Sequence, residues 1–223
     1  MTERGGQLME YDRLYAETDD YFGEDPDPLL VRFTHRLDPL KPVLDIGAGQ
    51  GRNSVYLARK GLHVDAIDPV VKSMEALQAQ AEREKLSLVA CAAGFESFEP
   101  RRDPYGGLLL FGLLQHLKPD SLSLLREKVI EWTLDGSLLF VTCFSTEDSS
   151  FAYYQDNWTE VGRNTFQSYE KEIRFFIEPN DILNLFPDFR PLHHFGGLGP
   201  EHRHGNGPLQ QHARVEAVFI RNR

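Results

Sequence analysis

Residues Val43–Gly61 read VLDIGAGQGRNSVYLARKG. A short apolar run, the alternate glycines Gly47, Gly49 and Gly51, and an amphipathic segment follow one another. Glycine accepts backbone angles that other residues avoid and lets a ligand come close to the main chain. Between a strand and a helix, such a loop sits at the carboxyl end of the strand, where open α/β sheets bind ligands. The fold and the ligand both turn on this stretch.

Outward from it, strands and helices alternate. PVLDI predicts a strand and RNSVYLARKG a helix ending at Gly61. HVDAID predicts a second strand, after which Pro69 is expected in the first turn of a helix carrying Val70, Met74, Leu77 and Ala81 on one face. SLVACAA and YGGLLLFGLL read as strands three and four, the latter apolar enough to be buried on both sides. SLSLLREKVIEWTLDG predicts a helix stopped by Gly136, and SLLFVTCFS a fifth strand. This alternation predicts an α/β, doubly wound, mostly parallel sheet with helices on both faces.

Both flanks differ. Residues 1–42 form a lead-in, acidic and aromatic up to Pro28, then LLVRFTHRL as a short helix facing inward through Leu30, Phe33 and Leu37. Residues 146–172 are polar and aromatic; EIRFFIE (a strand) and NDILNLF (a short helix) follow. FRPLHHF and ARVEAVFIRN read as an antiparallel pair joined by a Gly/Pro/His-rich loop. With no repeat or low-complexity tract, 1–223 is expected to be one domain: lead-in, core 43–145, insertion 146–172 and C-terminal strands 173–223.

Composition narrows the function classes. A formal charge of −10 argues against a nonspecific nucleic-acid binder, so no nucleic-acid partner is expected. No segment approaches the roughly 20 apolar residues of a membrane span, and the polar N-terminus lacks a signal-peptide core, so a cytoplasmic protein is expected. Cys91 and Cys143, the only cysteines, read as buried thiols rather than a disulfide framework or zinc site. Oligomeric state is not legible.

Asp68 closes the second strand 21 residues after Gly47. Its carboxylate can accept both hydroxyls of a ribose, although Asp68-Pro69 could also be a plain helix cap. Nicotinamide dinucleotides and S-adenosyl-L-methionine both carry such a ribose. A dinucleotide favours G-x-G-x-x-G; here the spacing is G-x-G-x-G, and Asp45 would repel a pyrophosphate while suiting an ammonium and a sulfonium. The charge therefore selects S-adenosyl-L-methionine, with a nicotinamide oxidoreductase ranked last.

The stretch VLDIGAGQGRNSVYLARKGLHVDAIDP resembles the opening of class I S-adenosylmethionine-dependent methyltransferases. GQGRNSVYLARKG, DRLYAETDDYFGEDPDPLL and GLLQHLKP are similar to the tellurite-resistance-type branch acting on small molecules. The resemblance spans roughly Tyr11 to Phe144 and implies a Rossmann-like, seven-stranded sheet. It places Asp45, Gly47, Ala48 and Gly49 at the methionine end, Gln50, Arg52 and Asn53 around the loop, and Asp68 with Pro69 at the ribose. After strand three, relatives often carry an Asp for adenine; CAAGFESFEP has none at Ala92, Ala93 or Gly94, leaving the Gly94 backbone, a Phe95 ring or Glu96. Gly112, Leu113 and Gln115-His116 match the methyl-transfer face.

Acceptor-side candidates are Tyr11 and Tyr15 as a lid, Tyr154 and Trp158 in the insertion, and His202 and Arg203 in the histidine loop. Five of the eight histidines lie between His193 and His212. The spacing of His202, His204 and His212 is not diagnostic of a metal, and none is expected. Methyl transfer to a soft acceptor needs no base; a hydroxyl or amine would call on His116 or His204. The expected function is methyl transfer to a small acceptor: a chalcogen oxyanion, a thiol or another metabolite. The rival is a regulatory protein of this fold that binds the cofactor without turnover, motivated by the missing acid.

Overall fold

The computed structural model describes residues 11–15, 18, 21–101, 104–203 and 207–222. Its strands are β1 (Val43–Ile46), β2 (Val64–Asp68), β3 (Leu88–Ala92), β4 (Tyr105–Phe111), β5 (Thr133–Phe144), β6 (Thr159–Gly162), β7 (Thr165–Gln167), β8 (Ile173–Phe175), β9 (Phe189–Leu198) and β10 (Ala213–Arg221). A seven-stranded sheet has the order β3-β2-β1-β4-β5-β10-β9. β1 to β5 run parallel; β10 is antiparallel to both β5 and β9. The predicted doubly wound sheet with its antiparallel C-terminal pair is therefore the observed one.

Alternation along each strand buries both faces. Leu44, Ile46, Leu108, Leu110, Leu139 and Val141 meet α4 (Pro119–Glu131) and α6 (Ile182–Leu185) through Leu125, Val129 and Ile182. On the other face Val43, Ala66, Leu109 and Phe140 join α1 (Pro28–Phe33), α2 (Arg52–Arg59) and α3 (Val71–Glu84) through Leu30, Leu57 and Leu77. Leu30, Phe33 and Leu37 are buried, as the lead-in pattern predicts.

Three local expectations are corrected. α4 stops at Glu131, not at Gly136, because β5 begins at Thr133; Gly136 (φ +84°) lies where the β4–β5 register shifts. Pro69 precedes the helix rather than opening it: Val70 is the N-cap of α3, and its N–H donates to Asp68 Oδ1 at 2.9 Å. EIRFFIE is a strand, as read, and lies outside the main sheet. It supplies β8 of a second sheet, β6-β7-β8, which with α5 (Phe151–Asn157) gives the insertion its structure. Cys143 is buried, but Cys91 only partly so.

Candidate active site

The order of the sheet reverses at β1, which lies between β2 and β4. A crevice must open there beyond the carboxyl ends of the strands. It is a cleft of about 1000 Å³, lined at one end by the glycine loop and Asp68 and at the other by Tyr154, Arg174, His202 and His212.

The three glycines divide their work. Gly47 and Gly49 line the cleft, both at positive φ. The Gly49 N–H donates to Asp68 Oδ2 at 2.9 Å, and a Cβ on Gly49 would lie 2.9 Å from Tyr15 Oη. Gly51 does not line the cleft. A Cβ there would overlap the Leu77 side chain, so its role is close packing of the loop on α3.

Asp45 and Asp68 are both buried. Burial pushes the Asp45 carboxyl up to about 6; the Ser54 hydroxyl, donating at 2.6 Å, opposes this, and the Asp68 charge adds to it. Burial also raises Asp68, against the N–H groups of Val70 and Gly49. Those bonds make Asp68 at once the anchor of the residue that caps α3 and the brace of the loop. A carboxylate offers about four acceptor sites, so capacity remains for a ribose. Two buried carboxylates, each raised by its burial and Asp45 further by the Asp68 charge, fit a ligand that brings positive charge.

Gln50, Arg52 and Asn53 do more than border the loop. Gln50 Oε1 accepts the Tyr21 N–H at 2.7 Å, and its Nε2 donates to the Thr18 carbonyl at 2.6 Å. Arg52 Nη1 donates to the carbonyls of Phe22 (2.9 Å) and Asp25 (3.2 Å). Asn53 Oδ1 accepts the Asp27 N–H at 2.8 Å. All three line the cleft, yet each holds the N-terminal segment over it. Arg214 of β10 completes the tie through Asp27 at 3.1 Å. This strap carries Tyr11 and Tyr15 into the cleft. The Tyr11 hydroxyl and His116 Nε2 are hydrogen-bonded at 3.2 Å. Burial, then the Asp68 charge, raises the Tyr15 hydroxyl well above its ordinary pKa.

Ala48, Pro69, Gly94, Phe95, Gly112, Leu113 and His116 also line the cleft. Phe95 is nevertheless only 2% exposed and belongs to the core. The Gly112 N–H donates to Thr142 Oγ1 at 3.0 Å. At the far end, Tyr154 and His202 line the wall, whereas Trp158 and Arg203 do not. Trp158 packs behind Tyr154, ring centroids 4.8 Å apart; Arg203 turns into its own loop and donates to the Gly207 carbonyl at 3.0 Å. His204 lies outside the described residues. Among the described residues, no group of three His, Cys, Asp or Glu is placed to hold a metal.

Among the lining residues not foreseen as cleft residues are Arg174, His212 and Thr142. Arg174 lies over the rings of Tyr154 (5.4 Å) and Phe144 (5.7 Å). His212 is paired with Asp148 at 3.0 Å. Thr142 comes from β5. The partners His212 and Asp148 stand 64 residues apart, so only the fold brings them together.

This fold is that of the class I S-adenosylmethionine-dependent methyltransferases. The family model for tellurite resistance protein TehB matches residues 28–186, and the chain belongs to that family. TehB from Haemophilus influenzae superposes with a TM-score of 0.66 at 18% identity, covering 86% of this chain and 61% of that one. The 1,6-didemethyltoxoflavin-N1-methyltransferase of Burkholderia thailandensis, solved with its acceptor and S-adenosylhomocysteine, gives 0.64 at 16% identity, covering 87% and 76%. The curated (S)-coclaurine N-methyltransferase of Thalictrum flavum subsp. glaucum is 31% identical over 125 residues, 52% of this chain and 33% of that protein. The chain thus spans about a third of the length of that relative.

Proposed function

We propose that the protein transfers the methyl group of S-adenosyl-L-methionine to a small-molecule acceptor. The observation that carries this is one cleft with two buried carboxylates at one end and a cationic, aromatic wall at the other. Bound at the carboxylate end, S-adenosyl-L-methionine would supply a methyl group already activated by its sulfonium. Asp68 would take the ribose, Asp45 would face the methionine end, and the Gly47–Gly49 backbone would allow close approach. The strap would then exclude water, leaving alignment of the acceptor as the main task of the chain.

Arg174 supports an acceptor with an anionic group. Among the described residues its guanidinium rests on two aromatic faces and has no carboxylate partner. A chalcogen oxyanion or a thiol-bearing metabolite meets that description. By this reading the chain works as one unit, with 43–145 holding the cofactor and 146–172 and the C-terminal strands holding the acceptor.

Calorimetry with S-adenosylhomocysteine is the first test. Binding by the parent protein, and its loss in Asp68→Ala, are expected; no binding by the parent sinks the reading. The end of β3 favours a second reading, a cofactor-binding regulator, since Ala92, Ala93 and Gly94 bring no acid to the adenine side. Binding without turnover over a panel of oxyanions, thiols and amines would select it.

A further inference from the structure

Phe144 ends β5 and Ala213 opens β10, and the two strands run antiparallel with Phe144 opposite Arg214. This register sets His212, just before β10, against the turn that follows β5. Asp148 in that turn is 4% exposed. Its Oδ2 accepts from His212 Nδ1 (3.0 Å) and from the Ala213 N–H (2.8 Å); its Oδ1 accepts from the Ser150 N–H and hydroxyl. Burial alone would raise this carboxyl, but the His212 and Ser150 hydrogen bonds outweigh it and hold it down at about 2. Both Asp148 oxygens already accept from backbone N–H groups, those of Ala213 and Ser150, so toward His212 the carboxyl accepts as well and Nδ1 carries the proton when the ring holds one. Its Nε2 is left with a lone pair and makes no hydrogen bond among the described residues.

His212 lines the cleft, as do Thr142 and Phe144. Its ring packs against Phe144 (4.9 Å) and His202 (5.5 Å). The charged and titratable groups around it are Asp148, His202 and, across the Phe144 ring, Arg174. Arg214 is turned away toward Asp27 and Glu216.

We propose that His212, aligned by Asp148, is the base that takes the proton from the acceptor atom during methyl transfer, and that the acceptor is a small anionic molecule presenting a protonated thiol, amine or hydroxyl. This rests on the methyl-transfer reading given above. The acceptor atom gives its proton to Nε2 and forms a bond to the methyl carbon with the freed pair; the methyl–sulfur bond breaks and its pair stays on sulfur. The positive charge of the sulfonium reappears on the imidazolium, which releases the proton to water. His212 acts as the catalytic residue and Asp148 as the positioning residue.

The alternative is that the pair merely latches β10 to the turn. Two carboxylate-bearing thiols separate the roles. 5-Thio-2-nitrobenzoate is ionised at neutral pH and needs no base, whereas 3-mercaptopropionate is mostly protonated, as a thiol of pKa about 8.5 or above would be. His212→Gln is expected to lower kcat/KM for 3-mercaptopropionate at least about 30-fold more than for 5-thio-2-nitrobenzoate, and Asp148→Asn at least about 10-fold more. Independently of turnover, ¹⁵N NMR of the full chain is expected to show neutral His212 protonated on Nδ1, a preference lost in Asp148→Asn. Retained S-adenosylhomocysteine binding reports that each variant is folded.

Equal losses for the two thiols, no loss for either, or a proton on Nε2 in the parent overturns the proposal. So does a parent that binds S-adenosylhomocysteine but methylates neither thiol, with the cofactor reading left standing. A parent that does not bind it overturns that reading, and this one with it.

Discussion

Asp45 and Asp68 stand on neighbouring parallel strands and face one cleft, both buried, and the charge of Asp68 raises the pKa of Asp45. Neither has a cationic side chain as an ion-pair partner among the described residues. The arrangement is unfavourable to the folded chain by itself and would be relieved by a positively charged ligand.

Asp45→Asn should stabilise the ligand-free protein while weakening S-adenosyl-L-methionine binding. With a folded pKa of about 6 against 3.8, the folded state holds the extra proton between those values. Stability from this group therefore falls as pH rises from about 4 to 6, by about 3 kcal/mol, and stays low above 6. Thermal melts should show the variant and parent diverging across that window, the variant several degrees higher at pH 7.5.

The same titration makes binding pH-dependent. A cation at this end favours the ionised carboxylate, so the ligand must expel a proton below pH 6. Affinity for S-adenosyl-L-methionine should fall toward tenfold per unit as pH drops from 6 to 5 and level off above 6.5. Calorimetry in buffers of different ionisation enthalpy measures the released proton directly.

Gly51→Ala should behave as a folding defect, not a ligand-contact defect. The left-handed backbone (φ +85°) and the Leu77 contact together predict a loss of about 2–4 kcal/mol. Because the clash is with one side chain, Gly51→Ala combined with Leu77→Ala should cost less than the two separate losses added, as a denaturation double-mutant cycle would show.

Arg52→Ala removes two carbonyl contacts from the strap; it also removes a charge that lowers the Asp45 carboxyl, so the rates are compared at pH 8, where Asp45 is ionised in both proteins. The expected result in stopped-flow binding is an S-adenosylhomocysteine off-rate raised about tenfold, with a smaller change in on-rate. Equal changes in both rates would mean the strap does not retain the ligand.

Arg174→Met keeps the bulk over Phe144 and Tyr154 but removes the charge. For 3-mercaptopropionate, KM should rise about tenfold with little change in kcat; for the uncharged 2-mercaptoethanol the rise should be much smaller.

Much of this frame is legible before any coordinates. The main sheet reads through because its strands are short apolar runs between helices with clear inward faces, as in α3 with Met74, Leu77 and Ala81. Asp68 reads through because its distance from the glycines reflects one βαβ unit. The junction at Trp132–Gly136 misleads: the start of β5 is TLDG, partly exposed and polar, and resembles a helix end. Gln50, Arg52 and Asn53 look like simple ligand contacts because the strap they bind lies tens of residues earlier and carries no periodic signal. His212 looks like one of many loop histidines until the antiparallel register sets Asp148 beside it.

The small sheet leaves and rejoins the main one at a single point. The Ile177 N–H donates to the Phe144 carbonyl at 2.9 Å, the Thr146 N–H donates to the Ile177 carbonyl at 3.1 Å, and Ser145 bridges Ile177 in parallel. The chain between Thr146 and Ile177, including Tyr154 and Arg174, therefore starts and ends at points that are already side by side, with Asp148 near its start tied to His212 and Ala213. Doubling the length of such a closed segment costs only about 0.6 kcal/mol in chain entropy. The part of the wall that carries Tyr154 and Arg174 can thus be lengthened or exchanged on an unchanged carboxylate end while His202 and His212 stay on their own loop, which makes this junction the place to reshape the far end of the cleft.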